Sequence, residues 1–235
     1  MCFAMPEVEI IETTPLKKGD YRAVLGFAGA GFIGNTAAMF VVRSKGLPQV
    51  AQVRSIHIPP MTLIANGSPM PSFRIYLDEP GGILLVITES LIPGDGCWPI
   101  AQALLKWLRE HGAREIYALD SLPFSATSPE IKVLGYGNKI DMGKLGIPPI
   151  REGALSGLDS CLLEECTEKG VPFANLFFPT NKLTSIDYGG AADAVDTLNR
   201  LFKFGVDPSP LRLNEGAQRR AAEQRQPGKG LFRKG

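Results

Sequence analysis

The stretch from Arg22 to Ser44 limits the possible folds more than any other part of this 235-residue chain. Ala23-Val24-Leu25-Gly26-Phe27 has the apolar character of a buried strand. Gly29-Ala30-Gly31-Phe32-Ile33-Gly34 then turns the chain, and after Asn35 the residues Ala37, Ala38, Phe40 and Val41 recur close to helical spacing. A strand, a glycine turn and a helix open a parallel α/β sheet. The glycines also spell G-x-G-x-x-G, a dinucleotide fingerprint. A dinucleotide site calls for an acidic residue about twenty positions on, where the second strand ends. Here that strand ends Arg54-Ser55-Ile56-His57, without a carboxylate. The phosphate loop of nucleoside triphosphatases fails as well, because Asn35 and Thr36 stand where Gly-Lys-Ser/Thr is required. The turn therefore reads as architecture that lets a helix start hard against the sheet. Anion binding at the helix amino terminus, by Gly29, Gly31 and Gly34, is the alternative.

The rest of the chain continues the α/β pattern. Strands are expected at Val8–Glu12, Gln49–Ile58, Phe73–Leu77, Ile83–Thr88, Glu115–Leu119 and Phe173–Phe178. Ile83–Thr88 is apolar on both faces and belongs at the centre of a covered sheet. Glu79-Pro80-Gly81-Gly82 marks a hairpin, and residues 61–71 read as loop. Helices are expected over Ile33–Ser44, Trp98–Glu110, Leu155–Lys169 and Tyr188–Phe204, the last capped by Asp187. Residues 120–155 look irregular, with short strand candidates at Ile131–Leu134 and Lys139–Asp141.

Composition excludes several classes. The formal net charge is +1, which gives no global field for nucleic acid or membrane. Four cysteines (Cys2, Cys97, Cys161, Cys166) and two histidines (His57, His111) show no zinc-ligand spacing. No cofactor or metal is expected. No apolar run approaches the roughly 18 residues of a membrane span, and the amino terminus lacks the marks of a signal peptide. A cytoplasmic protein is the expectation. Glu89 and Asp120 follow buried strands, where ligands sit in open α/β sheets, with Asp95 and Asp187 in turns. A polar residue at a strand end is more often a cap or a solvated edge than a catalyst. His57 lacks a partner in sequence, and Ser156 misses the G-x-S-x-G elbow.

From Asp207 onward the composition turns basic and polar. Arg219, Arg220, Arg225, Arg233 and Lys234 supply charge, and Leu231-Phe232 form an apolar pair. Gln218–Gln226 suits a short helix; the remainder reads as a flexible tail. Such a tail is either solvated or orders on a partner, an acidic protein surface or RNA phosphates.

The glycine corner after the strand, the Pro93-Gly94-Asp95 turn, the Leu104–Gly112 helix end, Gly153–Leu163 and Gly189-Gly190-Ala191-Ala192 resemble, in order and spacing, the proteasome assembly chaperone family, including its archaeal-type members. The resemblance covers roughly residues 8–205. It implies a single domain like purine nucleoside phosphorylases, with a mixed, mostly parallel central sheet flanked by helices. It also implies no catalytic cycle, binding to proteasome α-subunits or α-rings, and assembly into homo-oligomers. Some archaeal members end in a hydrophobic residue, a tyrosine and any residue; this chain ends Leu231-Phe232-Arg233-Lys234-Gly235. The combined expectation is an α/β chaperone-like domain over residues 1–206 and a basic tail over 207–235. Its partner would be a proteasome α-subunit or another large assembly. Two rivals remain: an RNA- or ribosome-associated protein using the tail, and a phosphorylase- or hydrolase-type enzyme. The second requires Glu89, Asp120 and the Gly31 turn to converge on one ligand.

Overall fold

The computed structural model describes residues 6–123 and 130–225. The strands are β1 (Val8–Glu12), β2 (Tyr21–Gly26), β3 (Gln49–Ser55), β4 (Thr62–Ala65), β5 (Ser68–Pro71), β6 (Phe73–Asp78), β7 (Ile83–Thr88), β8 (Ala113–Pro123), β9 (Leu134–Asn138) and β10 (Phe173–Thr180). The α-helices are α1 (Ile33–Lys45), α2 (Gly94–Glu110), α3 (Leu158–Glu168), α4 (Tyr188–Phe202) and α5 (Ser209–Arg225). One mixed sheet runs in the order β1-β3-β6-β7-β2-β8-β10-β9. Its centre, β7, β2, β8 and β10, is parallel, and the joints outside that centre are antiparallel.

Side chains alternate across a strand, so one strand feeds two cores. Ala23 and Leu25 of β2 face α2 and α3, whereas Val24 faces α1 and α4. Every residue of β7 is buried, as expected for a strand covered on both sides. The apolar stripe of α2 (Ile100, Ala101, Leu104, Leu105, Leu108) and that of α4 (Ala191, Ala194, Val195, Leu198) are fully buried. Each such large aliphatic side chain contributes about 1.5–3 kcal/mol of burial.

Three expectations need correction. Residues 61–71 are a hairpin, β4–β5, rather than loop. Asn66 and Gly67 both have positive φ (50° and 76°) at its turn, and Asn-Gly is the pair that such a two-residue turn selects. The strand after β8 is Leu134–Asn138, lying between the two candidates proposed from sequence. Its glycines mask it: a side chain on Gly135 would strike Met142, and one on Gly137 would strike the Ile140 carbonyl. The Gly135 amide and carbonyl bond outward to Pro148 and Ile150. Finally, helix α5 spans Ser209–Arg225, where only Gln218–Gln226 was expected as helix and the residues before it as tail. Leu211 is buried against α4, Arg212 reaches Asp193 (3.1 Å) and Asp196 (2.6 Å), and Gln218 bonds the Ile186 carbonyl (3.2 Å). One buried leucine and several polar contacts leave no periodic apolar stripe for sequence reasoning to find.

Candidate functional site

Ligands of open α/β sheets gather outside the carboxyl ends of the parallel strands. At that edge the glycine corner after β2 stands between two clefts. Its local geometry follows from close packing. A Cβ on Gly34 would overlap the Leu119 carbonyl of β8, and one on Gly26 would lie 2.6 Å from the Gly34 carbonyl oxygen. Both glycines thus bring α1 onto the sheet. Gly31 adopts φ 64°, accepts a 2.8 Å hydrogen bond from the Asp187 amide, and packs against Thr180, Lys182 and Asp187. Gly29 is extended (φ −151°), and a Cβ there would meet only Asp120 and Ser121 at 3.7 and 3.9 Å.

The first cleft, ≈ 330 Å³, lies beneath Phe27–Ala30 and is lined by Asp120 and Asp159. The Ser121 amide donates to Asp120 Oδ1 at 2.7 Å. Burial raises the Asp120 carboxyl, and that hydrogen bond opposes the rise. Asp159, in the first turn of α3, is buried, and burial followed by the Asp120 charge pushes its carboxyl well above the usual carboxylate range. Its Oδ1 has no hydrogen-bond partner among the described residues. Sequence reasoning missed Asp159, which sits inside a helix pattern and far from Asp120 along the chain. A strand-end acid followed by an acid near a helix start was the only available signal.

The second cleft, ≈ 590 Å³, lies across α1 and is lined by Asn35, Arg43, Met61, Glu89, Tyr188 and Leu211 among others. Glu89 is ion-paired with the fully buried Arg74, yet burial outweighs the guanidinium and leaves its carboxyl raised. Glu89 and Asp120 therefore open onto different clefts, and the convergence required by an enzyme of phosphorylase or hydrolase type is not formed. No group of three or more His, Cys, Asp or Glu suited to a metal ion occurs among the described residues.

The remaining candidates have structural contacts. Asp187 caps α4 by accepting from the Gly190 amide (3.1 Å) and also accepts from Thr180 Oγ1 (2.6 Å). His57 has partners that the sequence did not reveal, Glu7 (3.4 Å) and Asp95 (3.6 Å), and so ties the first residues of the sheet to the start of α2. Of the tail residues, Arg219 and Arg220 are exposed on α5, and Arg219 pairs with Glu215 at 3.2 Å. Arg225 ends that helix. Leu231, Phe232, Arg233 and Lys234 lie outside the described residues.

Comparison with known proteins places this architecture. Pyrococcus furiosus PbaA, an archaeal homologue of proteasome-assembly chaperone, superposes with a TM-score of 0.81 at 26% identity over 93% of each chain. Pyrococcus furiosus PbaB, an archaeal proteasome activator, gives 0.80 at 18% identity over 94% of this chain and 99% of its own. A Mycobacterium tuberculosis proteasome-assembly chaperone homologue gives 0.65 at 14% identity over 88% and 97%. No match was found among curated proteins. The PAC2 family pattern runs from residue 23 to residue 226, from the first central strand through α5, and the chain belongs to the PAC2 family.

Proposed function

We propose that this protein is a non-enzymatic assembly chaperone that binds proteasome α-subunits or α-rings as a cytoplasmic homo-oligomer. The observation that carries this reading is the likeness to PbaA over 93% of both chains. The glycine corner supports it, because Gly26, Gly31 and Gly34 are packed against the protein's own backbone and side chains. No described helix is long and apolar enough to cross a membrane.

Chaperone contact needs surface. A specific interface buries roughly 1,200–2,000 Å² in total. The β4–β5 hairpin leaves Ile64 79% exposed, and Met61 and Leu91 are also in solvent. Ser90 Oγ lies 3.9 Å from Met61 Sδ, which brings Leu91 and the hairpin to one place. Large apolar side chains grouped in water mark contact sites, and we assign the client surface to this patch.

The test is an affinity pull-down with mass spectrometry, using the full chain, a version lacking residues 226–235, and Ile64→Asp. Cutting after Arg225 preserves α5, whereas removal from Asp207 would strip a packed helix. Recovery of α-subunits by the first two but not by Ile64→Asp supports the reading and its surface. Loss on truncation alone moves the contact to the carboxyl terminus. Recovery of ribosomal particles alone, lost in high salt, would instead favour RNA binding through Arg219 and Arg220.

A further inference from the structure

The cleft beneath the glycine corner poses a problem that the chaperone reading does not touch. Asp159 is 8% exposed, and its Oδ1 faces no donor among the described residues. An ionised carboxylate taken out of water without a partner costs several kcal/mol. Native proteins leave few buried polar atoms unpaired, and each calls for a cause. The first turn of α3 favours negative charge, yet burial and the Asp120 charge still push the Asp159 carboxyl well above the ordinary carboxylate range. Asp120, the only other ionisable side chain lining the cleft among the described residues, adds a second acid. No Lys, Arg or His lines it among the described residues. Near the cleft the packed helices carry Asp95 and Cys97 of α2 and Cys161, Glu164 and Glu165 of α3, whereas the basic residues of α2, Lys106 and Arg109, lie about two turns or more beyond Cys97.

The cleft thus offers carboxyl oxygens without a counter-charge. Metal ions fit poorly, since no third His, Cys, Asp or Glu joins the pair among the described residues. A volume of ≈ 330 Å³ falls at the small end of the roughly 300–1,000 Å³ typical of ligand pockets. Phe27 and Phe177 supply aromatic lining, which suits alkyl stems and cations. We propose that this cleft binds an organic monocation, an alkylammonium or guanidinium group, held by Asp120 and Asp159. Such groups carry three or five N–H donors and no acceptor, which matches a site made of acceptors. The cation comes either from a free amine or from a lysine or arginine side chain of a bound protein.

The test uses the isotopically labelled full-length protein. Amide NMR shifts are followed during titration with n-butylammonium and n-butylguanidinium, and with N-acetyl-lysine methylamide and N-acetyl-arginine methylamide. Tetramethylammonium, which has the charge but no N–H, and magnesium chloride are controls. Saturable shifts at Gly29, Ser121 and Leu158–Ser160 are expected with the N–H donors only. Asp159→Asn should weaken binding about tenfold or more, as loss of a charge-assisted hydrogen bond does. Gly29→Leu keeps an allowed extended backbone and places bulk toward Asp120, so it should block the cleft with the remaining shifts unchanged. Tighter binding of the capped amino acids identifies a protein side chain as the source; tighter binding of the free amines identifies a metabolite. Linear shifts without saturation, equal response to tetramethylammonium, saturation by magnesium alone, or binding that survives both variants would overturn the proposal.

Discussion

Gly34→Ala is the most direct test of the glycine corner. Gly34 lies in the first turn of α1, where alanine would ordinarily gain about 0.5–1 kcal/mol over glycine. The new methyl, however, would sit on the Leu119 carbonyl oxygen, far inside the roughly 3.5–4.0 Å of a carbon contact. That oxygen belongs to the central strand β8 and cannot swing aside as a side-chain tip could. Overpacking of this kind costs about 1–3 kcal/mol, and a rigid backbone obstacle puts it at the upper end. The net loss is about 2 kcal/mol, a fall in Tm of about 4–8 °C for a chain of this size. Gly29→Ala, at the first glycine of the same fingerprint, meets only ordinary contacts at 3.7 and 3.9 Å and should leave stability unchanged or slightly raised. Urea unfolding of both variants, followed by tryptophan fluorescence and far-ultraviolet dichroism, reads the difference. Equal stability of Gly34→Ala and wild type, or equal losses in the two variants, would refute the packing argument.

Two further outcomes follow from buried charge. Asp159 has a raised carboxyl in the folded state, so the unfolded chain ionises first as pH rises and folding stability declines from about pH 4 upward. Below that pH the group is protonated in both states and contributes nothing to the difference. Asp159→Asn should therefore match wild type in acid and exceed it increasingly toward neutrality, measured as Tm against pH; a constant offset at every pH would contradict the assignment. Arg74→Ala leaves Glu89 half-buried without its guanidinium and should cost about 3–5 kcal/mol, whereas Arg74→Ala combined with Glu89→Gln should recover part of the loss in a double-mutant cycle of urea midpoints.

The central fold was legible because its signals are local. The all-apolar run of β7 and the stripes of α2 and α4 each state their own burial. The Asp187 cap was legible for the same reason. What was lost depends on distant partners. β9 is a strand only because Met142 and Ile140 fold back onto its glycines, and α5 is held by one leucine and by residues of α4 and the loop before it. The two clefts were illegible in a related way. Glu89 and Asp120 look equivalent in sequence, each just after or at the end of a buried strand. Only the position of the glycine corner sends one to Arg74 and the other to Asp159.

The two margins of the sheet are finished differently. On the β9 side, Gly135 already spends its outward amide and carbonyl on Pro148 and Ile150, so an incoming strand would first have to dislodge a resident segment. On the β1 side an intruder would settle beside the exposed carboxylates Glu7 and Glu9. Lengthening the ladder is thus obstructed by occupancy at one border and by charge at the other. Any polypeptide that docks on this chain is therefore steered to side-chain relief rather than to an added strand, and a preparation that grows fibrils would have breached one of these borders.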